Sequence, residues 1–144
     1  MRVLGISGSP RHGGNTEIAI RTALDVLAGE GIETEFLSLA DRPVQPCVAC
    51  NRCAKEDEAR CVQDDPAFEG VLDQFDAADG FLVGSPVYFG SATPQVMSLL
   101  HRVGYVSRHH GNKILRRKVG ASIVVARRAG QNFTFAQLNY FFLI

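Results

Sequence analysis

The 144-residue sequence contains no run approaching the roughly 18 apolar residues of a membrane span. Its opening, MRVLGISGSP, passes from a short apolar stretch straight into a Gly/Ser turn, without the cleavage-type site of a secretory signal. The expectation is therefore a cytoplasmic chain. Tryptophan is absent and proline occurs only six times. With 46% hydrophobic and 21% charged residues, the composition is that of an ordinary globular protein and not of a disordered or fibrous one. Its length suits one domain, 1–144, and not two. Outside residues 47–61 there is no cysteine, which argues against a disulfide framework.

Carboxylates are missing from the whole second part. Residues 80–144 hold 8 basic side chains and no acidic one, while residues 1–79 hold all 15 acidic residues and 7 basic ones. Net charge is zero, yet the two parts differ strongly in sign. That asymmetry suits oppositely charged faces that pair between subunits, or a surface that meets nucleotide phosphates or an acidic electron carrier. Nucleic acid is a poorer fit, because the basic residues lack interleaved aromatics and no binding motif is present.

Apolar periodicity predicts alternating strands and helices. Strands are expected at Val3–Ile6, Thr34–Leu39, Phe81–Val83 and Val119–Ala126. Helices are expected at Thr16–Leu27, capped by Asn15 or Thr16, from Asp65–Pro66 through Phe75, at Thr93–Val103 and at Phe133–Ile144. Residues 40–65 read as a long polar loop and 104–117 as a basic linker. The pattern implies an α/β fold, a doubly wound open parallel sheet in three layers, since a closed eight-stranded barrel needs more chain. The apolar run at Leu143–Ile144 and an uncovered flank of the fourth strand suggest truncation before a fifth strand, or a partner over that edge.

Ser7-Gly8-Ser9-Pro10-Arg11-His12-Gly13-Gly14-Asn15-Thr16 joins the first strand to the first helix. Hydroxyls, an amide, successive backbone N–H groups, a helix N-terminus and Arg11 can together surround a phosphate. Neither GxxxxGK[ST] nor GxGxxG is present, so this is neither a nucleoside-triphosphate loop nor the dinucleotide fingerprint. The hydroxyl-rich loop suits the dianionic monophosphate of FMN; the alternative is an ordinary Gly/Ser turn. After the third strand, Pro86, Val87, Tyr88 and Phe89 can wall a flavin ring, with N–H donors from residues 88–91 and Gly90 permitting the turn. Residues 126–131 form the third loop of the same sheet edge; its arginines, Arg127 and Arg128, can meet the ring, a nicotinamide cofactor or a neighbouring subunit, and Arg127 and Gly130 are its cofactor-binding candidates.

Cys47, Cys50, Cys53 and Cys61 form C-x2-C-x2-C-x7-C. Two-residue gaps wrap three thiolates around one small object, and a more distant cysteine can take the fourth corner of a cubane. Four-cysteine zinc sites usually use two separated pairs, which this spacing fits poorly. A reduced thiol cluster without metal is the third reading. Arg52, Lys55 and Arg60 are placed to offset cluster charge. His12, His109 and His110 read as surface residues and Asp64–Asp65 as a helix cap. No nucleophile–base triad is present.

SGSPRHGGNT after the first strand, PVYFGS after the third and the compact cysteine motif between them resemble the iron-sulfur flavoproteins of the flavodoxin-like NAD(P)H-dependent FMN reductase superfamily, over Met1 to about Phe142. The resemblance implies a flavodoxin-like sheet of order 2-1-3-4-5, FMN, a [4Fe-4S] cluster and a homodimer or homotetramer. It assigns FMN phosphate binding to Ser7, Ser9, Arg11, Asn15 and Thr16, with Pro10 in the same loop. It assigns ring binding to Pro86, Val87, Tyr88, Phe89 and Gly90, and cluster ligation to the four cysteines. The expected function is an FMN-dependent oxidoreductase or electron-transfer protein coupling FMN to the cluster. NAD(P)H or a ferredoxin-like carrier is the expected redox partner, and the chemistry belongs to the cofactors. The alternatives are a cluster-free NAD(P)H-dependent FMN or quinone reductase, and a flavin- or metal-binding protein without turnover.

Overall fold

A computed structural model describes residues 1–144. Four strands, β1 (Arg2–Ser7), β2 (Glu33–Ser38), β3 (Gly80–Pro86) and β4 (Val119–Val125), form one parallel sheet in the order β2-β1-β3-β4. Four helices connect or follow them: α1 (Asn15–Gly29), α2 (Val71–Ala77), α3 (Pro94–His109) and α4 (Gln131–Leu143). A single 3-10 turn, Arg52–Lys55, interrupts the long loop after β2. The expected α/β sheet and its order are found. No helix is long and apolar enough to cross a membrane.

The register pairs Gly5 with Leu82 and Ser7 with Gly84. Alternation along a strand therefore puts Gly5 and Gly84 on one face and Leu4, Ile6, Phe81 and Val83 on the other. Helix α1 lies on the glycine face. A Cβ on Gly5 would stand 2.6 Å from Leu24 Cδ1, and one on Gly84 would stand 2.8 Å from Ile20 Cδ1. Over the opposite face pack α2, α3 and α4. Phe75 meets Phe81 with ring centroids 4.8 Å apart, and the Phe142 ring covers Gly120. The main core, from Leu4 and Ile6 through Val96, Leu99, Val103 and Leu138, fills that side. Strands β1 and β3 are central, buried on both faces and nearly continuous in apolar sequence. β4 is an edge strand, with Val119 at its start 75% exposed.

Three local expectations require correction. Helix α3 continues to His109, so residues 104–109 of the presumed basic linker are helical. The apolar spacing persists through the buried Val106, and burial of that stripe outweighs the weak helix preference of Gly104, which packs against Phe141. The second helix starts at Val71, not at Asp65–Pro66. Asp65 opens only a turn, its O accepting the Phe68 N–H and its Oδ1 the Ala67 N–H, and the left-handed Gly70 (φ 71°) delays the helix to Val71. Neither Asn15 nor Thr16 caps α1: the capping position is Gly14, and Thr16 is buried.

The Glu17 carboxylate serves the start of α1 instead. Its Oε2 accepts the Gly13 N–H at 3.0 Å and its Oε1 accepts from Arg21 Nε at 2.8 Å. The Arg21 bond and then the Gly13 N–H hold this carboxyl below its ordinary 4.5. A lowered folded pKa stabilises above the ordinary value and loses that contribution as the pH falls through the lowered one. Because Arg21 is half in solvent, solvent screens the ion pair and its contribution to stability is discounted accordingly. Glu17→Gln is expected to cost about 1 kcal/mol at neutral pH. It should also remove this part of the acid dependence, as measured by urea unfolding from pH 7 downwards.

Candidate functional site

All four loops that leave the strands at their carboxyl ends open on the same sheet edge. The chain reverses its direction of winding between β1 and β3, and open α/β sheets bind ligands in the crevice outside such a point. The β1–α1 loop lies there, fixed from three sides. Leu39 N–H donates to Ser7 O (3.0 Å), Gly8 N–H to Gly84 O (2.7 Å) and Thr93 Oγ1 to Gly8 O (2.6 Å). Gly8 has no room for a side chain, since a Cβ would stand 2.6 Å from Val96 Cβ and 2.9 Å from Gly84 O.

Within this frame the loop presents donors. The Ser7 hydroxyl is buried without a partner. Ser9 Oγ accepts the Arg11 N–H at 3.1 Å and so curls the loop over Pro10. No side chain caps the first-turn N–H groups of Asn15, Thr16 and Glu17, which have no intrahelical acceptor. Arg11 and Asn15 are exposed at the rim. His12, expected at the surface, is there, with Nε2 2.5 Å from Asp41 Oδ2. This contact ties the β1–α1 loop to the start of the loop that carries the cysteines. A buried unpartnered hydroxyl beside free helix N–H groups is the donor set a phosphate dianion takes.

The β3–α3 loop is partly different from expectation. Tyr88 N–H donates to Ser91 O (2.9 Å) and Ser91 N–H returns to Tyr88 O (3.1 Å), so these two donors are spent inside the turn. The N–H groups of Phe89 and Gly90 remain available of the expected residues 88–91. Phe89 (φ 48°) and Gly90 (φ 84°) turn the chain sharply, which leaves the Phe89 ring fully in solvent and Tyr88 exposed beside the half-buried Pro86 and Val87. The β4–α4 loop abuts this wall. Gly130 (φ 90°) has Val87 Cγ1 2.7 Å and Gly90 Cα 2.9 Å from where its Cβ would lie, so glycine is required there. Arg127 and Arg128 are exposed and form no ion pair. The Thr134 hydroxyl, in the first turn of α4, is buried without a partner.

The four thiols are free and line one small cavity between residues 47–63 and helix α3. Val48, Val62, Tyr105 and Val106 line most of the rest, together with Asn51, Gln63 and Arg102. Ala49 (φ 50°) and Asn51 (φ 55°) both adopt left-handed backbone, on either side of Cys50, so the loop bends tightly there. Burial, followed by the neighbouring Cys61, Cys50 and Cys47, pushes the Cys53 thiol above its ordinary 9.0. No three Cys, His, Asp or Glu side chains converge as tightly as ligands of a single metal ion. The donor set consists of four thiols around a largely apolar hollow, the soft-ligand chemistry of zinc or of an iron-sulfur cluster.

Two neighbours of this cavity were not foreseen. His110 Nε2 lies 3.0 Å from Cys53 O, which pins the 3-10 turn to the end of α3. Arg102 Nη2 donates to Cys61 Sγ at 3.3 Å. Of the basic residues expected to offset charge here, Arg60 pairs with Glu56, and Arg52 and Lys55 are exposed. The signal for Arg102 was present in the sequence: it is the single charged residue inside the buried stripe of α3. Asp65, expected as a helix cap, is the buried partner of Arg102, although its Oδ1 also accepts the Ala67 N–H.

Residues 1–144 match the family described as NADPH-dependent FMN reductase. An iron-sulfur flavoprotein of Methanocaldococcus jannaschii is 42% identical over 151 aligned residues, which cover all of this chain and 72% of that protein. Among solved structures, a flavone reductase superposes with a TM-score of 0.69 at 22% identity, covering 93% of this chain and 46% of that one. A flavodoxin from the domain Archaea superposes with a TM-score of 0.56 at 12% identity, covering 98% of this chain and 72% of that one. The last two are similarities of fold, and they make this sheet flavodoxin-like.

Proposed function

Since the chain belongs to the NADPH-dependent FMN reductase family and is an FMN-dependent oxidoreductase, we propose that it couples FMN to a [4Fe-4S] cluster. The observation that carries this reading is the single cavity lined by all four cysteines. The name of the Methanocaldococcus relative supports it.

The β1–α1 loop holds the FMN phosphate. Ser7, Ser9, Asn15 and Thr16 supply hydroxyl, amide and N–H donors, Pro10 shapes the loop and Arg11 supplies charge at the rim. Pro86, Val87, Tyr88 and Phe89 form the ring wall, with Gly90 in the turn beneath it. Gly130 and Arg127 close the neighbouring side. Cys47, Cys50, Cys53 and Cys61 ligate the cluster. When bound, FMN exchanges electrons in pairs or singly and the cluster exchanges them one at a time. The protein's part is to hold both groups and keep the phosphate dianion paired.

NAD(P)H or an acidic electron carrier docks on the basic residues 80–144, and the chain works as a homodimer or homotetramer. The exposed, unpaired Arg127 and Arg128 at the ligand edge support the docking assignment. Anaerobic reconstitution with FMN, ferrous iron and sulfide tests the whole reading. The expected product contains one FMN and about four irons per chain, and its visible absorption bleaches on reduction. Flavin without iron would favour the cluster-free reductase instead.

A further inference from the structure

We infer that Arg102 is the positioning residue that sets the reduction potential of the four-cysteine centre, acting through Cys61 and balanced by Asp65. The inference rests on the cluster reading proposed above. Arg102 is 1% exposed and the Asp65 side chain 5% exposed, so both charges lie out of water. One guanidinium amino group, Nη1, pairs with Asp65 Oδ2 and lies 3.4 Å from Gln45 O. The other, Nη2, donates to Cys61 Sγ at 3.3 Å. The plane of the group is held over the Phe68 ring, with Cζ 3.9 Å from its centroid. Nε has no partner at all.

An ion pair buried in this way does not add stability over well-packed apolar side chains, and the orphaned Nε–H adds a further cost. The arrangement does orient a fixed positive charge and an N–H donor at a cysteine sulfur. Reduction of a cluster adds negative charge to its sulfurs. An N–H donor and a cation in a low-dielectric site stabilise that reduced form and raise the potential. Asp65 opposes Arg102 electrostatically, although it holds the guanidinium in place.

The two partners must therefore move the potential in opposite directions, a result that loss of structure alone does not produce. Arg102→Lys keeps a cation for Asp65 but lacks the fork that also reaches Cys61. Asp65→Asn is nearly isosteric and leaves the guanidinium unbalanced. Midpoint potentials of the reconstituted proteins are read by redox titration followed by electron paramagnetic resonance, with circular dichroism as the folding check. At a fixed solution potential, Arg102→Lys is expected to lower the reduced-to-oxidised ratio at least tenfold, about 59 mV for a one-electron couple. Asp65→Asn is expected to raise it. Shifts of the same sign, or no shift in either variant, overturn the inference and leave the cluster reading intact. Failure of the wild-type chain to take up iron overturns both. If Arg102→Lys does not fold or load, Asp65→Asn decides alone, and a potential at or below wild type overturns the inference.

Discussion

Cys50→Ala is expected to abolish the [4Fe-4S] centre, taking bound iron from about four per chain to none after anaerobic reconstitution. Cys50 is the most solvent-accessible of the four thiols and stands between two residues in left-handed backbone. An alanine there accepts the same backbone but leaves one corner without a thiolate. Because Cys53 is buried and Cys47 and Cys61 are partly buried, the loop should keep its shape, and the loss is one of ligation and not of folding. Iron and sulfide analysis with electron paramagnetic resonance of the reduced protein measures it. Tight stoichiometric zinc in the wild-type chain, with no uptake of iron, would contradict the assignment.

Ser9→Ala with Asn15→Ala is expected to weaken FMN binding by at least tenfold, about 1.4 kcal/mol, in a flavin-fluorescence titration. The two side chains act differently. Asn15 is exposed at the first position of α1, where the proposed phosphate site would lose a direct donor. Ser9 is nearly buried, and its Oγ already holds the Arg11 N–H, so its loss loosens the curl that presents the neighbouring donors. Removing both costs one charge-assisted hydrogen bond and part of the loop's order, of the size expected for such bonds. An unchanged affinity would move the phosphate away from this loop.

Much of the fold was legible because parallel strands buried on both faces are short, nearly continuous apolar runs. Val3–Ile6 and Phe81–Val83 each end in a Gly/Ser turn, and they lie at the heart of β1 and β3. The cysteine motif was legible for a related reason: thiolates spaced by two residues are local in sequence, and no distant contact is needed to bring three of them together. Helix ends were less legible. The stop expected near Val103 took Gly104 as a breaker, but the apolar stripe that continues to Val106 is buried and carries the helix through it. The start expected at Asp65 failed because the turn that Asp65 opens, with its Oδ1 on the Ala67 N–H, is broken at left-handed Gly70 before a helix forms.

The sequence by itself determined the α/β alternation, the glycine- and hydroxyl-rich loop at a strand end and the four thiols. Each depends on composition and spacing within a single segment. Only the tertiary structure decided which charges act on those segments. The basic residues close to the cysteines in sequence, Arg52, Lys55 and Arg60, turn to solvent or to Glu56, because their long side chains are cheapest to leave hydrated. The charge that reaches Cys61 comes from Arg102, 41 residues away. Helix α3 presses one face against the cysteine loop, and a guanidinium on that face has nowhere to go but to Asp65 and the sulfur. Such a pairing costs desolvation at every group it uses and is favourable only when all of them meet at once, so no single stretch of sequence encodes it.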